Sequence, residues 1–339
     1  MSTLRSRFDN AVLGFGVPLL LLTALLEHYG RRLNQRSSIR QYFDGVYTSR
    51  VLGRESVVGL SNLVNKVHEL FGHVHATGLL AGWVLTNGIA FVASSFMLYR
   101  LSARRDPHLR FAYLLVVAML CASGVVVTPY DFLSYALIIA VFVAMSTGRT
   151  LAGMTLMVLA VATRESALLV VPMVLVAAAD PVASGPGLHG RLLRNVVEAL
   201  EKTKPILLLA IVGVATYATL KIVTLPSGRR PHFVQHVSSN GHWSASGLTG
   251  VATAVLMAII IRWLVRVNFD HEDLAARCHL LWLLALPYLA VCLVWGIWGE
   301  APRLVMPLVL GEFLIAVGAG THQRLMVTER VTSSVRQRT

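Results

Sequence analysis

The sequence predicts an all-α, polytopic integral membrane protein of about ten transmembrane helices, and three observations carry that prediction. The chain of 339 residues is 55% hydrophobic and only 14% charged, against about 45–50% apolar and about 25% charged in soluble domains. Its apolar residues fall in runs near the roughly 20 residues that a helix needs to cross a bilayer. Its basic residues gather in the short gaps between those runs, where orientation signals sit. The formal charge of +13 therefore reads as membrane topology, and nucleic acid is not an expected partner.

The elements follow in order. Arg5 and Arg7 precede an apolar run from Ala11 to Leu26 that has no small-residue cleavage site after it, so it is a retained first helix. Spans are expected at 11–27, 77–99, 111–129, 132–147, 151–163, 167–180, 206–222, 247–266, 279–297 and 302–319. Phe111 to Ser146 is too long for one span, and Thr128-Pro129-Tyr130-Asp131 supplies a turn and a charge in its middle. Leu151 to Ala179 is divided in the same way by Arg164-Glu165, with two short or tilted helices on either side.

With the N-terminus cytoplasmic, 18 of the 30 basic residues lie in short inside loops and tails, as the positive-inside rule requires. Both termini are then inside, and residues 320–339 form a basic cytoplasmic tail. The outer side carries two large loops, 28–76 and 223–246, and the whole of 1–339 reads as one transmembrane domain. The first loop is itself basic; long loops translocate with less regard for charge. Within it, Val57, Leu60, Leu63, Val64, Val67, Leu70 and Phe71 recur at helical spacing opposite Asn62, Asn65, Lys66 and Glu69. This predicts an amphipathic helix over about 56–71, lying in the membrane interface. The excess of arginine over lysine hints at a GC-rich bacterial genome, and the expected location is a bacterial inner membrane.

On this topology the charges that interrupt apolar sequence share the outer boundary: Asp44, Tyr47 and Arg50 in the first loop, Asp131, then Arg164 and Glu165, then Glu300 and Arg303. Ionisable groups at that depth are costly without partners, which makes them candidate functional residues; helix-end anchoring is the bland alternative. The mixture suits a carboxylate that takes a proton from an attacking hydroxyl while arginine forks hold a leaving phosphate. A substrate whose lipid tail stays in the bilayer fits that position.

Asp44 soon after the first helix, Thr-Arg-Glu-Ser-Ala-Leu-Leu-Val-Val-Pro at 163–172 and Trp-Gly-Glu-Ala-Pro-Arg-Leu-Val-Met-Pro at 298–307 resemble the polytopic GT-C-type glycosyltransferases and their bacterial relatives. The resemblance implies a polyprenyl-phosphate-linked sugar as donor and a glycan, lipid or protein as acceptor. It implies Asp44 as catalytic base, Asp131 as a second acid, Arg164 and Arg303 as phosphate ligands, and Glu165 and Glu300 as their orienting partners. The first loop departs from the family in lacking an adjacent acidic pair.

Other signals are weaker. His68-Glu69-Leu70-Phe71-Gly72-His73 approaches a zinc-protease motif, but its histidines miss the i, i+4 spacing that puts both on one helical face. His232 and His236, with His242, belong to a solvated outer loop or else contact sugar or phosphate; a divalent cation shared with His73 or His75 stays open, and no metal site is assigned. Cys121, Cys278 and Cys292 have no metal-ligand spacing. Trp243, Trp295 and Trp298 fit an aromatic belt. Besides a transferase, a lipid-linked glycan transporter and a noncatalytic membrane partner remain as function classes.

Overall fold

The computed structural model describes residues 8–33, 50–71, 79–124, 131–179, 194, 204–224, 244–269, 272–295 and 298–336. The described residues are helical, with no strand among them. Twelve α-helices are used below: α1 (Val17–Leu33), α2 (Val51–Leu70), α3 (Leu80–Leu101), α4 (Arg110–Ala122), α5 (Asp131–Ser146), α6 (Thr150–Thr163), α7 (Val170–Ala178), α8 (Lys204–Thr224), α9 (Ala245–Asn268), α10 (Glu272–Leu284), α11 (Leu286–Trp295) and α12 (Ala301–Arg336).

Five helices are long and apolar enough to cross a membrane, or six if the bent pair α10–α11 is one span. Their length and composition are those of a multi-pass membrane protein. The apolar segments Pro107–Ala122, Asp131–Ser146, Thr150–Thr163 and Glu165–Ala178 are shorter. They overlap four of the ten expected spans without reaching the length of the five long helices.

Proline sets most of the breaks, because it has no N–H to return to the carbonyl four residues back. A π turn at Val12–Gly16 ends next to Pro18 at the start of α1. Arg164 is extended (φ −163°, ψ 138°) and Glu165–Leu169 is a 3-10 turn. The chain leaves the helical path at Arg164 itself, and Pro172, the third residue of α7, adds a second interruption by leaving the Leu168 carbonyl without its helical donor. The break predicted at that pair is therefore real. The expected single span at 279–297 is instead two helices bent by 49° around Ala285, with Pro287 just beyond. Likewise α1 continues to Leu33 and α12 to Arg336, past the expected ends of their spans.

Burial ranks the helices. In α12, 78% of the Trp298–Gly318 window is buried, against 17% of α8, so α12 is the central post and α8 is peripheral. It packs on α9, α10, α7 and α5, while α5 also packs on α3 and α6. The amphipathic helix predicted in the first loop exists and begins earlier, at Val51. Its seam with α3 is made by Gly53, Val57 and Ser61, one residue per turn. That approach needs Gly82: a Cβ there would collide with the Val57 carbonyl and sit 2.7 Å from the Ser61 nitrogen. The Gly82 N–H donates to Ser61 Oγ at 3.1 Å. Leu63, Val67, Leu70 and Phe71 stay exposed on this helix.

Candidate functional site: an arginine–carboxylate cluster at helix ends

Four helix ends and breaks bring charged residues to one place. Asp131 opens α5, Arg164 is the extended residue after α6, Arg303 lies in the first turn of α12, and Arg50 is the cap residue of α2. Helix ends leave backbone groups free for other partners, and they are where a sequence can place charge without interrupting an apolar helix.

Asp131 joins the cluster. One carboxylate oxygen accepts from Arg164 Nη1 and the other faces Arg303 Nη1 at 3.5 Å. Asp131, Arg164 and Arg303 are only 2%, 2% and 5% exposed. At such burial, removing one member leaves an uncompensated charge. Arg303 also pairs with Glu300, three residues earlier in the 3-10 turn Trp298–Glu300. Glu165 turns the other way: its two oxygens accept from Arg50 Nη2 at 2.8 Å and Nε at 3.3 Å. That fork fastens the start of α2 to the α6–α7 break. The cluster therefore holds three guanidiniums and three carboxylates.

The backbone around Arg303 is held by a second consequence of proline. Pro307 inside α12 leaves the Arg303 carbonyl without its helical donor. The Tyr135 hydroxyl of α5 donates to that carbonyl at 3.0 Å, and the Tyr288 hydroxyl of α11 donates to the Leu304 carbonyl at 3.0 Å. Gly250 of α9 lets the Trp298–Glu300 turn come close; a Cβ there would strike the Trp298 carbonyl and lie 2.7 Å from the Gly299 Cα.

Of the residues singled out in the sequence, Arg50, Asp131, Arg164, Glu165, Glu300 and Arg303 meet here. Asp44, Tyr47, His232 and His236 lie outside the described residues, as do His73, His75 and His242. Among the described residues no three His, Cys, Asp or Glu side chains gather as metal ligands.

A second ionic site escaped the sequence reading. Glu312, inside α12 and fully buried, accepts from the Trp282 indole N–H and pairs with Arg262 Nη2 at 2.9 Å. Its signal was present: after Arg303 it is the sole charged residue up to Gly320, and a lone carboxylate in a spanning run is a functional candidate by itself. Arg262, by its position in a short basic gap, carries only an orientation signal in the sequence, and nothing in the sequence marks Tyr135 or Tyr288. The chain matches no protein-family model, and no curated protein or solved structure is similar to it.

Proposed function

We propose that the chain is a GT-C-like membrane glycosyltransferase of about ten spans in a bacterial inner membrane, with both termini cytoplasmic and the arginine cluster at the outer boundary. The observation that carries this reading is the buried Asp131 carboxylate set between Arg164 and Arg303, brought together from the start of α5, the α6–α7 break and the first turn of α12. Two guanidiniums that each put one nitrogen on the same carboxylate are also a pair that suits an oxyanion such as a phosphate. In this reading the donor is a sugar on a polyprenyl phosphate whose tail remains among lipids. The acceptor hydroxyl attacks the anomeric carbon, its proton passes to Asp44, the bond from that carbon to the phosphate oxygen breaks, and the arginines take up the charge of the leaving polyprenyl phosphate. Asp131 sets the spacing of the two arginines, and Glu165 and Glu300 orient Arg50 and Arg303. The exposed apolar residues of α2 lie in the membrane interface.

Glu312 and Arg262 favour one alternative. A buried ion pair within spanning helices is a feature of pathways through a bilayer, so a lipid-linked glycan transporter is the second reading. The deciding experiment follows a radiolabelled polyprenyl-phosphate sugar with the purified chain in vesicles supplied with a bacterial cell-envelope extract as the source of acceptor. Release of polyprenyl phosphate, lost in Asp44→Asn and in Arg164→Gln, is the expected result. Movement of the intact donor between leaflets without cleavage selects the transporter. Neither cleavage nor movement removes both.

A further inference from the structure

We propose that Glu312 is a proton-binding site, taking up a proton on Oε2 in the half of the molecule away from the arginine cluster. It lies nine residues beyond Arg303 in α12, roughly 14 Å along the helix axis. Its Oε1 is doubly engaged, by the Trp282 N–H of α10 and by Arg262 Nη2 of α9 at 2.9 Å. Its Oε2 is buried and has no hydrogen-bond partner. A buried carboxylate oxygen in that state carries a large desolvation cost unless something occupies it.

The ligand is fixed by space. Glu312 has no accessible surface, so a metal ion or headgroup would need room that the packing around it does not give. A proton needs none. Access comes from Arg262, whose side chain is 36% exposed while its Nη1 donates to the Ala275 carbonyl at 3.3 Å. The proton is drawn from water at that surface, and uptake turns the ion pair into a neutral carboxyl beside a cation that stays protonated.

The surroundings add few competing charges. From α9 Glu312 meets Arg262, and from α10 it meets Trp282, with Cys278 and Arg277 within electrostatic reach of one another. Arg277 is committed to Asp273 at 2.8 Å and to the Val176 carbonyl at 2.7 Å. No residue of α7 titrates. In α5, Asp131 and Tyr135 are bound at the level of Arg303. In α4, Arg110, Tyr113 and Cys121 turn to Asp9 and to the Leu13 and Leu21 carbonyls near the N-terminus. Glu165 and Tyr288 are held by Arg50 and at the Leu304 carbonyl.

The test is infrared difference spectroscopy on the full chain reconstituted in lipid nanodiscs, titrated between about pH 4 and 9. The protonated-carboxyl stretching band is expected to grow as pH falls, and to be absent from Glu312→Gln. In Arg262→Gln, which keeps the carboxyl and removes its cation, proton affinity should rise at least tenfold, because the charged form loses its partner. A wild-type band with no component missing in Glu312→Gln overturns the proposal. So does a midpoint that Arg262→Gln leaves unmoved, and this second arm stands even where Glu312→Gln does not fold.

Discussion

The arginine cluster and the Glu312 pair bury charge by opposite means. The cluster is assembled from helix ends and breaks, where Asp131, Arg164 and Arg303 meet with three further charged neighbours. The pair is mid-helix, one carboxylate against one arginine, and that arginine is partly exposed. The helix α9 touches both, through Gly250 at one site and Arg262 at the other. The contrast teaches that burial alone does not define a site's behaviour. A buried set of mutually paired charges resists the loss of any member, whereas a pair with an exposed partner can lose its charge and let that partner reach water.

The largest expected effect separates the two directly. Asp131→Leu leaves two buried guanidiniums facing each other and should cost about 3–5 kcal/mol, while Glu312→Leu leaves an arginine free to extend outward and should cost about 1 kcal/mol. Denaturant or thermal unfolding in one detergent ranks them; the reverse order would break the comparison. Gly250→Val comes next. Overpacking typically costs about 1–3 kcal/mol, and here it would displace the Trp298–Glu300 turn; on the proposed transferase reading it lowers donor turnover while the Glu312 titration stays in place.

Tyr135→Phe removes the donor to the carbonyl that Pro307 leaves open. A loss of about 1–2 kcal/mol is expected, and, if the proposed transferase reading holds, turnover falls as Arg303 loosens. The smallest effect belongs to Glu165→Gln. Its side chain is 41% exposed, so water screens the Arg50 pair and the loss should stay at or below about 1 kcal/mol. A loss as large as that of Asp131→Leu would show Glu165 to be as tightly coupled to the buried charges as Asp131 is.

Much of this cluster was legible in the chain. Arg164-Glu165 stands out because no apolar span tolerates two adjacent charges at its centre, and Glu300 and Arg303 flank the start of another run. The pairing was not legible. Glu165 orients Arg50 across 115 residues rather than its neighbour Arg164, and Arg164 turns to Asp131. That choice depends on which way each side chain leaves an extended residue and a 3-10 turn. The amphipathic pattern found α2, but of its apolar stripe only Val57 is in the seam with α3, beside the small residues Gly53 and Ser61 that the pattern does not mark.

By itself the sequence determined the class of the molecule: apolar run length fixes helices for a bilayer, since backbone groups in lipid must be satisfied within the helix. It also located the break at Arg164-Glu165, where two charges interrupt an apolar run, but not the ends of α1 and α12 or the bend at Ala285. Only the tertiary structure decided which stops meet, that α12 is the central helix and that Glu312 has one oxygen engaged and one not. Those outcomes depend on contacts between residues far apart in the chain, and no local pattern records them.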